Sequence, residues 1–254
     1  IGDPQKRIEE DYLRIIRFLR FSIEYDSQAD STTIEAIKTN LDGIKKISKE
    51  RILTELFKIL NLKNFENILR DQDKKLIFLM LFPELKFLDR LQRFSKIKSY
   101  SKINTKSLLA ILLVDEKENH EYFFHKYGIS NDIKNNLNLF AKNLRLLKKD
   151  ENFFNKNLEK NIYLYGKEHL TVLNILSYLS NIKSNLQSFT KIHSKIFRAK
   201  IHNFTFNGEY LLKNGMKEGL AVGRVLKIIE REWMENNFKI SNKKVLEVIK
   251  KNVH

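Results

Sequence analysis

Two prolines and eight glycines in 254 residues leave this chain little with which to interrupt a helix. Proline removes a backbone donor and clashes with the preceding turn, and glycine carries a large entropic cost inside a helix. A chain that avoids both, and is dominated by Leu, Ile, Lys, Glu and Asn, is expected to consist of helices joined by polar loops. The expected class is all-α: an elongated multi-helical array with no substantial β-sheet. Apolar residues at three- and four-residue spacing predict helices over 3–25, 33–40, 48–60, 64–70, 73–80, 85–95, 106–113, 117–126, 130–148, 151–158, 166–181 and 184–200. A short helix closing at Gly215 and one carrying Leu226, Ile229 and Trp233 follow. The basic stretch 142–149 marks a boundary, and no fixed period repeats along the chain.

The charge balance narrows the partners. Lys and Arg number 47 against 31 Asp and Glu, a formal charge of +16. Such an excess attracts polyanions, nucleic acid first and an anionic membrane surface second. An AT-biased genome would account for the many lysines and asparagines, but not for the shortage of acids. There is no cysteine, which rules out disulfides and thiolate metal sites and fits a reducing, cytoplasmic location. No run of 18 apolar residues spans a membrane, and nothing resembles a signal peptide. The first residue is Ile1, so a fragment, a processed chain or the second half of a split gene is expected.

Chemistry concentrates near the start, in Gly2-Asp3-Pro4, Arg7 and Glu10-Asp11-x-x-Arg14-x-x-Arg17. On one continuous helix, Asp11 and Arg14 at i,i+3 would point the same way. A carboxylate beside a guanidinium offers acceptors next to donors, as the edge of a nucleobase requires. The plain alternative is a solvated salt bridge worth a few tenths of a kcal/mol. A second segment, Ile47-Ser48-Lys49-Glu50-Arg51-Ile52-Leu53-Thr54-Glu55-Leu56, opens with a good N-cap, and Glu50 sits in its positively polarised first turn. A third, from Asn207 to Leu226, holds four of the eight glycines. Gly219 and Gly223 would lie one turn apart at a helix start, where close helix packing is favoured over a phosphate cradle because no P-loop Lys-Ser/Thr follows.

These segments, in this order, resemble the class II tRNA nucleotidyltransferases (CCA-adding enzymes) and bacterial poly(A) polymerases. Thr33-Ile34-Glu35-Ala36-Ile37 matches the helix between the first two motifs. The third departs from the usual Gly-Pro, having Gly219-Leu220. The resemblance implies a neck over 1–61 with the nucleotide-selecting helix, a helical body over 62–148 and an RNA-binding tail over 149–254. It puts the reading of the CTP or ATP base on Asp11 and Arg14, with Glu10 and Arg17 in the same nucleotide-binding motif. Glu50 and Arg51 would steady that helix. It implies binding to the acceptor and elbow of tRNA, and CCA or poly(A) addition in the complete enzyme. It also implies a catalytic head, carried elsewhere and possibly by a separate polypeptide, that holds Mg²⁺. This chain alone would then contribute no catalytic residue, bind no metal and be inactive. A non-catalytic RNA-binding remnant and a generic protein scaffold are the rival readings.

Metal-binding patterns are weak. The only Asp-x-Asp is Asp71-Gln72-Asp73, between predicted helices and followed by two lysines, which reads as a helix cap. Histidines at 120, 125, 169, 193, 202 and 254 are scattered, and no His-Asp dipeptide occurs. Trp233 and the aromatics at 123, 124 and 127 read as core rather than as base-stacking platforms.

Overall fold

The computed structural model describes residues 3–100, 103–115 and 117–252. Gly2 of the first motif and His254 lie outside them. Among the described residues every regular element is helical. Residues up to Glu151 together with Lys167–Ile196 form one compact unit. Asn152–Gly166 and the residues from Phe197 onward form a second.

The first unit begins with α1 (Pro4–Glu10), α2 (Leu13–Glu24) and α3 (Ser31–Asn40). A 3-10 turn, Leu41–Lys46, leads to α4 (Lys49–Leu60). A second 3-10 turn, Phe65–Arg70, precedes α5 (Gln72–Leu81) and α6 (Arg90–Phe94). Then come a third, Ser95–Tyr100, and α7 (Thr105–Leu113), α8 (Asn119–Tyr127) and α9 (Asn131–Lys149). Polar caps set these starts. Asp30 accepts from the Thr33 amide at 2.8 Å, Ser48 from Arg51 at 3.5 Å, and Asn104 from Ser107 at 2.9 Å. Asp71 accepts from the Asp73 and Lys74 amides, so the Asp-x-Asp caps α5 as expected. The core gathers Leu13, Ile15, Ile16, Leu19 and Ile23 of α2 against Leu56, Ile59 and Leu60 of α4, with Phe78 of α5 also buried. From Leu109 to Val114, α7 and its C-cap are fully buried.

The second unit takes α10 (Leu158–Tyr165), and the first takes α11 (Lys167–Ser180) and α12 (Leu186–Arg198) as far as Ile196. The second unit closes with α13 (Gly208–Lys213), α14 (Leu220–Glu235) and α15 (Asn242–Lys251). Leu211, Met216, Val225, Ile229, Val245, Val248 and Ile249 form its aliphatic core. Trp233 packs with Tyr163, Phe204 and Phe238, confirming it as an interior residue. Gly215, at φ +100°, ends α13. Its amide donates to Leu212 and that of Met216 to Leu211, both at 3.1 Å, a Schellman closure with Met216 buried beneath it.

Several local expectations are corrected. The helix expected over 3–25 is two helices, broken at Asp11 and Tyr12. The 85–95 segment is helical only from Arg90 to Phe94, and 151–157 is a turn before α10. The periodicity reading also missed α15. Among the described residues, nothing beyond the local backbone comes within 4 Å of a Cβ placed at Gly219 or Gly223, so close helix packing does not explain them.

Candidate nucleotide-selecting site

The break between α1 and α2 is built by Asp11. Its backbone is extended, at φ −154° and ψ 104°, which ends α1. Its Oδ1 then accepts the Leu13 amide at 3.1 Å and starts α2. Aspartate in a helical stretch competes for backbone donors in this way. Its Oδ2 accepts from Arg51 Nη2 of α4 at 2.8 Å. Burial opposes the charge on Asp11, but the Leu13 amide and the Arg51 guanidinium outweigh it and hold the carboxyl below its usual range. Asp11 is thus a fixed, ionised acceptor with its side chain 30% exposed.

Arg14 does not pair with Asp11. Its Nη1 donates to Glu10 Oε2 at 2.5 Å and to the Arg7 carbonyl at 2.9 Å, tying α2 back to the end of α1. Nε and Nη2 have no protein partner among the described residues, so two nitrogens of the fork stay open to a ligand. Glu10 gives one oxygen to this clamp, and its side chain stays 62% exposed. Arg17 turns the other way, its Nε 3.5 Å from Glu55 of α4. Glu50 is exposed, and its carboxylate meets no partner among the described residues. The structure therefore brings Asp11, Arg51, Arg14 and Glu10 to one break, with Arg17 one turn on and Glu50 apart.

Glu55 was not singled out from the sequence. Its carboxylate, 3% exposed, accepts from Arg20 Nε at 2.9 Å and Lys58 Nζ at 2.9 Å, besides the Arg17 contact. Burial opposes its charge, yet Lys58 and Arg20 together hold the carboxyl below its usual range. A signal was present: Glu55 lies on the side of α4 marked by Ile52, Leu56 and Ile59, where a carboxylate needs partners. Asp11–Arg51 ties the α1–α2 break to α4 and Glu55–Arg20 ties α2 to α4, so this face is held by ion pairs as well as by apolar packing.

Residues 98–249 match the family described as tRNA nucleotidyltransferase domain 2, putative. The chain belongs to the tRNA nucleotidyltransferase family. Residues 28–88 match a second family, described as a probable RNA and SrmB-binding site of polymerase A, which covers Arg51 and Glu55. Asp11 and Arg14 precede both matched ranges. A CCA-adding enzyme of Staphylococcus haemolyticus is 28% identical over 263 residues, covering 100% of this chain and 64% of that protein. The fold is that of the Bacillus stearothermophilus CCA-adding enzyme solved in complex with CTP. The TM-score is 0.65 at 16% identity, over 98% of this chain and 64% of that one. The Thermotoga maritima CCA-adding enzyme complexed with tRNA gives a TM-score of 0.54 at 21% identity, over 97% and 62%. The chain matches the C-terminal part of these nucleotidyltransferases and spans about three-fifths of their length.

The tRNA nucleotidyltransferase part described here holds no group of three or more His, Asp or Glu side chains able to bind a metal among the described residues. Asp71 and Asp73 do not fit Mg²⁺: Asp71 is occupied as a cap and is paired with Lys74 at 3.3 Å. No step of the reaction is assigned to a metal on these residues. No helix among the described residues is long and apolar enough to cross a membrane.

Proposed function

We propose that this chain selects the nucleotide and holds the RNA in an enzyme that adds CCA to tRNA 3′ ends. One observation carries the reading. At the α1–α2 break an ionised acceptor, Asp11, is fixed by Arg51, and beside it Arg14 is anchored through one nitrogen with two donors left open. Acceptor and donors on a rigid frame suit the edge of cytosine or adenine, and the bonds that fix them lower the cost of ordering them on binding. Arg51 acts as their support, Arg17 belongs to the Glu55 cluster, and Glu50 is a helix-start residue. The charge of +16 fits a backbone-contacting RNA surface that would meet the acceptor and elbow. Phosphoryl transfer and its Mg²⁺ fall to a catalytic head, on the same or another polypeptide, working in the cytoplasm.

The test is incorporation of labelled CTP and ATP into tRNA lacking its 3′ CCA, with Mg²⁺, by this chain alone and with a head fragment from a relative. Incorporation in the mixture supports the reading. No incorporation, with salt-sensitive tRNA binding intact, supports a non-catalytic RNA-binding part instead. The match of residues 28–88 to a polymerase A segment favours poly(A) addition as the second reading. The product separates the two: two cytidines and one adenosine, or a run of adenosines.

A further inference from the structure

Gly43 lies in the 3-10 turn between α3 and α4 and is buried. A Cβ placed on it would stand 2.0 Å from Cδ1 and 2.1 Å from Cε1 of Tyr12. The tyrosine ring therefore rests directly on the backbone of residue 43. Lys46, on the same turn, holds its ammonium 5.3 Å from the ring centroid. Tyr12 is the residue between Asp11, which ends α1, and Leu13, which starts α2. The turn under its ring runs on through Ile47 to Ser48, the cap of the helix that carries Arg51.

We propose that Gly43 is a positioning residue for nucleotide selection: it seats the Tyr12 ring on the 41–46 turn and so fixes the break where Asp11 meets Arg51. The proposal rests on the reading of Asp11 as a base-reading group. A methyl at residue 43 needs roughly 3.4 Å or more from the ring, so ring and turn must part by more than 1 Å. A hydrogen bond such as Asp11–Arg51, at 2.8 Å, does not survive a displacement of that size. Gly43 brings no side chain to the pair, yet it sets the approach of the two elements that carry them.

The experiment follows the Asp11 carboxyl by carbon NMR titration in this chain, in Gly43→Ala, in Tyr12→Ala and in the double variant. Gly43→Ala is expected to raise the Asp11 midpoint toward that of an unpartnered aspartate. With the ring already removed by Tyr12→Ala, adding Gly43→Ala should shift it no further. An unchanged midpoint in folded Gly43→Ala overturns the proposal, because the ring would then have swung aside without moving Asp11. An equal added shift with and without the ring overturns it too. Should Gly43→Ala not fold, Tyr12→Leu gives the decision: a raised midpoint is expected, and an unchanged one refutes the link. No nucleotide enters this measurement, so it stands or falls apart from the base-reading assignment, which the incorporation assay tests.

Discussion

Asp11 commits both carboxylate oxygens to the protein, one to the Leu13 amide and one to Arg51, while Arg14 keeps part of its fork open. Removing either side chain should disturb the choice between CTP and ATP more than the hold on RNA. In the mixture with a head fragment, Asp11→Ala and Arg14→Ala are expected to blur CTP and ATP incorporation. Their tRNA affinity should stay within about twofold of the parent, since neither side chain is an exposed phosphate contact in this reading. Unchanged selection in both variants would remove the base-reading role. Glu55→Gln keeps the shape but cancels the charge that Arg20 and Lys58 share, and should cost about 1–3 kcal/mol in denaturant unfolding. A cost near zero would mean that water replaces the network. Of this site, the identities were legible in the sequence and the pairing was not. The i,i+3 spacing put Asp11 against Arg14, but Asp11 competes for the Leu13 amide and bends the chain, so its partner comes from 40 residues away.

Helices α9 and α11 meet through His169, which stacks on Phe140 at 4.3 Å, with its Nε2 3.0 Å from the Asn143 side-chain amide. Burial pushes the imidazole down to about 4 from 6.5. The unfolded chain therefore takes up a proton first as pH falls. Stability is unaffected above about 6.5 and declines from there to about 4, by a total on the order of 3 kcal/mol. Asp11 and Glu55 add to this as pH falls through ordinary carboxylate values, because the unfolded carboxyls protonate there while the folded ones, held lower, still resist. Denaturant melts at pH near 7 and near 5 should differ in the parent and much less in His169→Gln; equal loss in both would place the sensitivity elsewhere. The turn after α13 offers a second test at this scale. Gly215→Ala puts a side chain at φ +100° and should cost about 1 kcal/mol or more in thermal unfolding. Helix content and several starts were readable, since Ser48 and Asp71 announce themselves as caps, whereas the Asn207 cap of α13 went unread. What was not readable was where local bonding overrides periodicity, at Asp11 and again at 151–157, where the Asn155 and Asn157 amides both turn back to the Asn152 carbonyl.

For the molecule as a whole, the charge of +16 makes salt the main lever on the tRNA binding proposed above. Affinity for tRNA should fall at least about tenfold between roughly 50 and 200 mM salt, with a log–log slope that counts the phosphates contacted. A flat dependence measured by filter binding would argue against a backbone-reading surface. The path of the chain bears on how this protein can be cut or inherited. Asn152–Gly166 belongs with the residues after Phe197, whereas Lys167–Ile196 belongs with those before Asn152. A stop after Glu151 would strip the first unit of the helices bearing Leu170, Leu173, Leu176 and Ile196, all buried. A start at Lys167 would deprive the second of Tyr163 and its ring contact with Trp233. Neither unit is a contiguous cassette, so a single break that leaves one of them whole takes a segment away from the other.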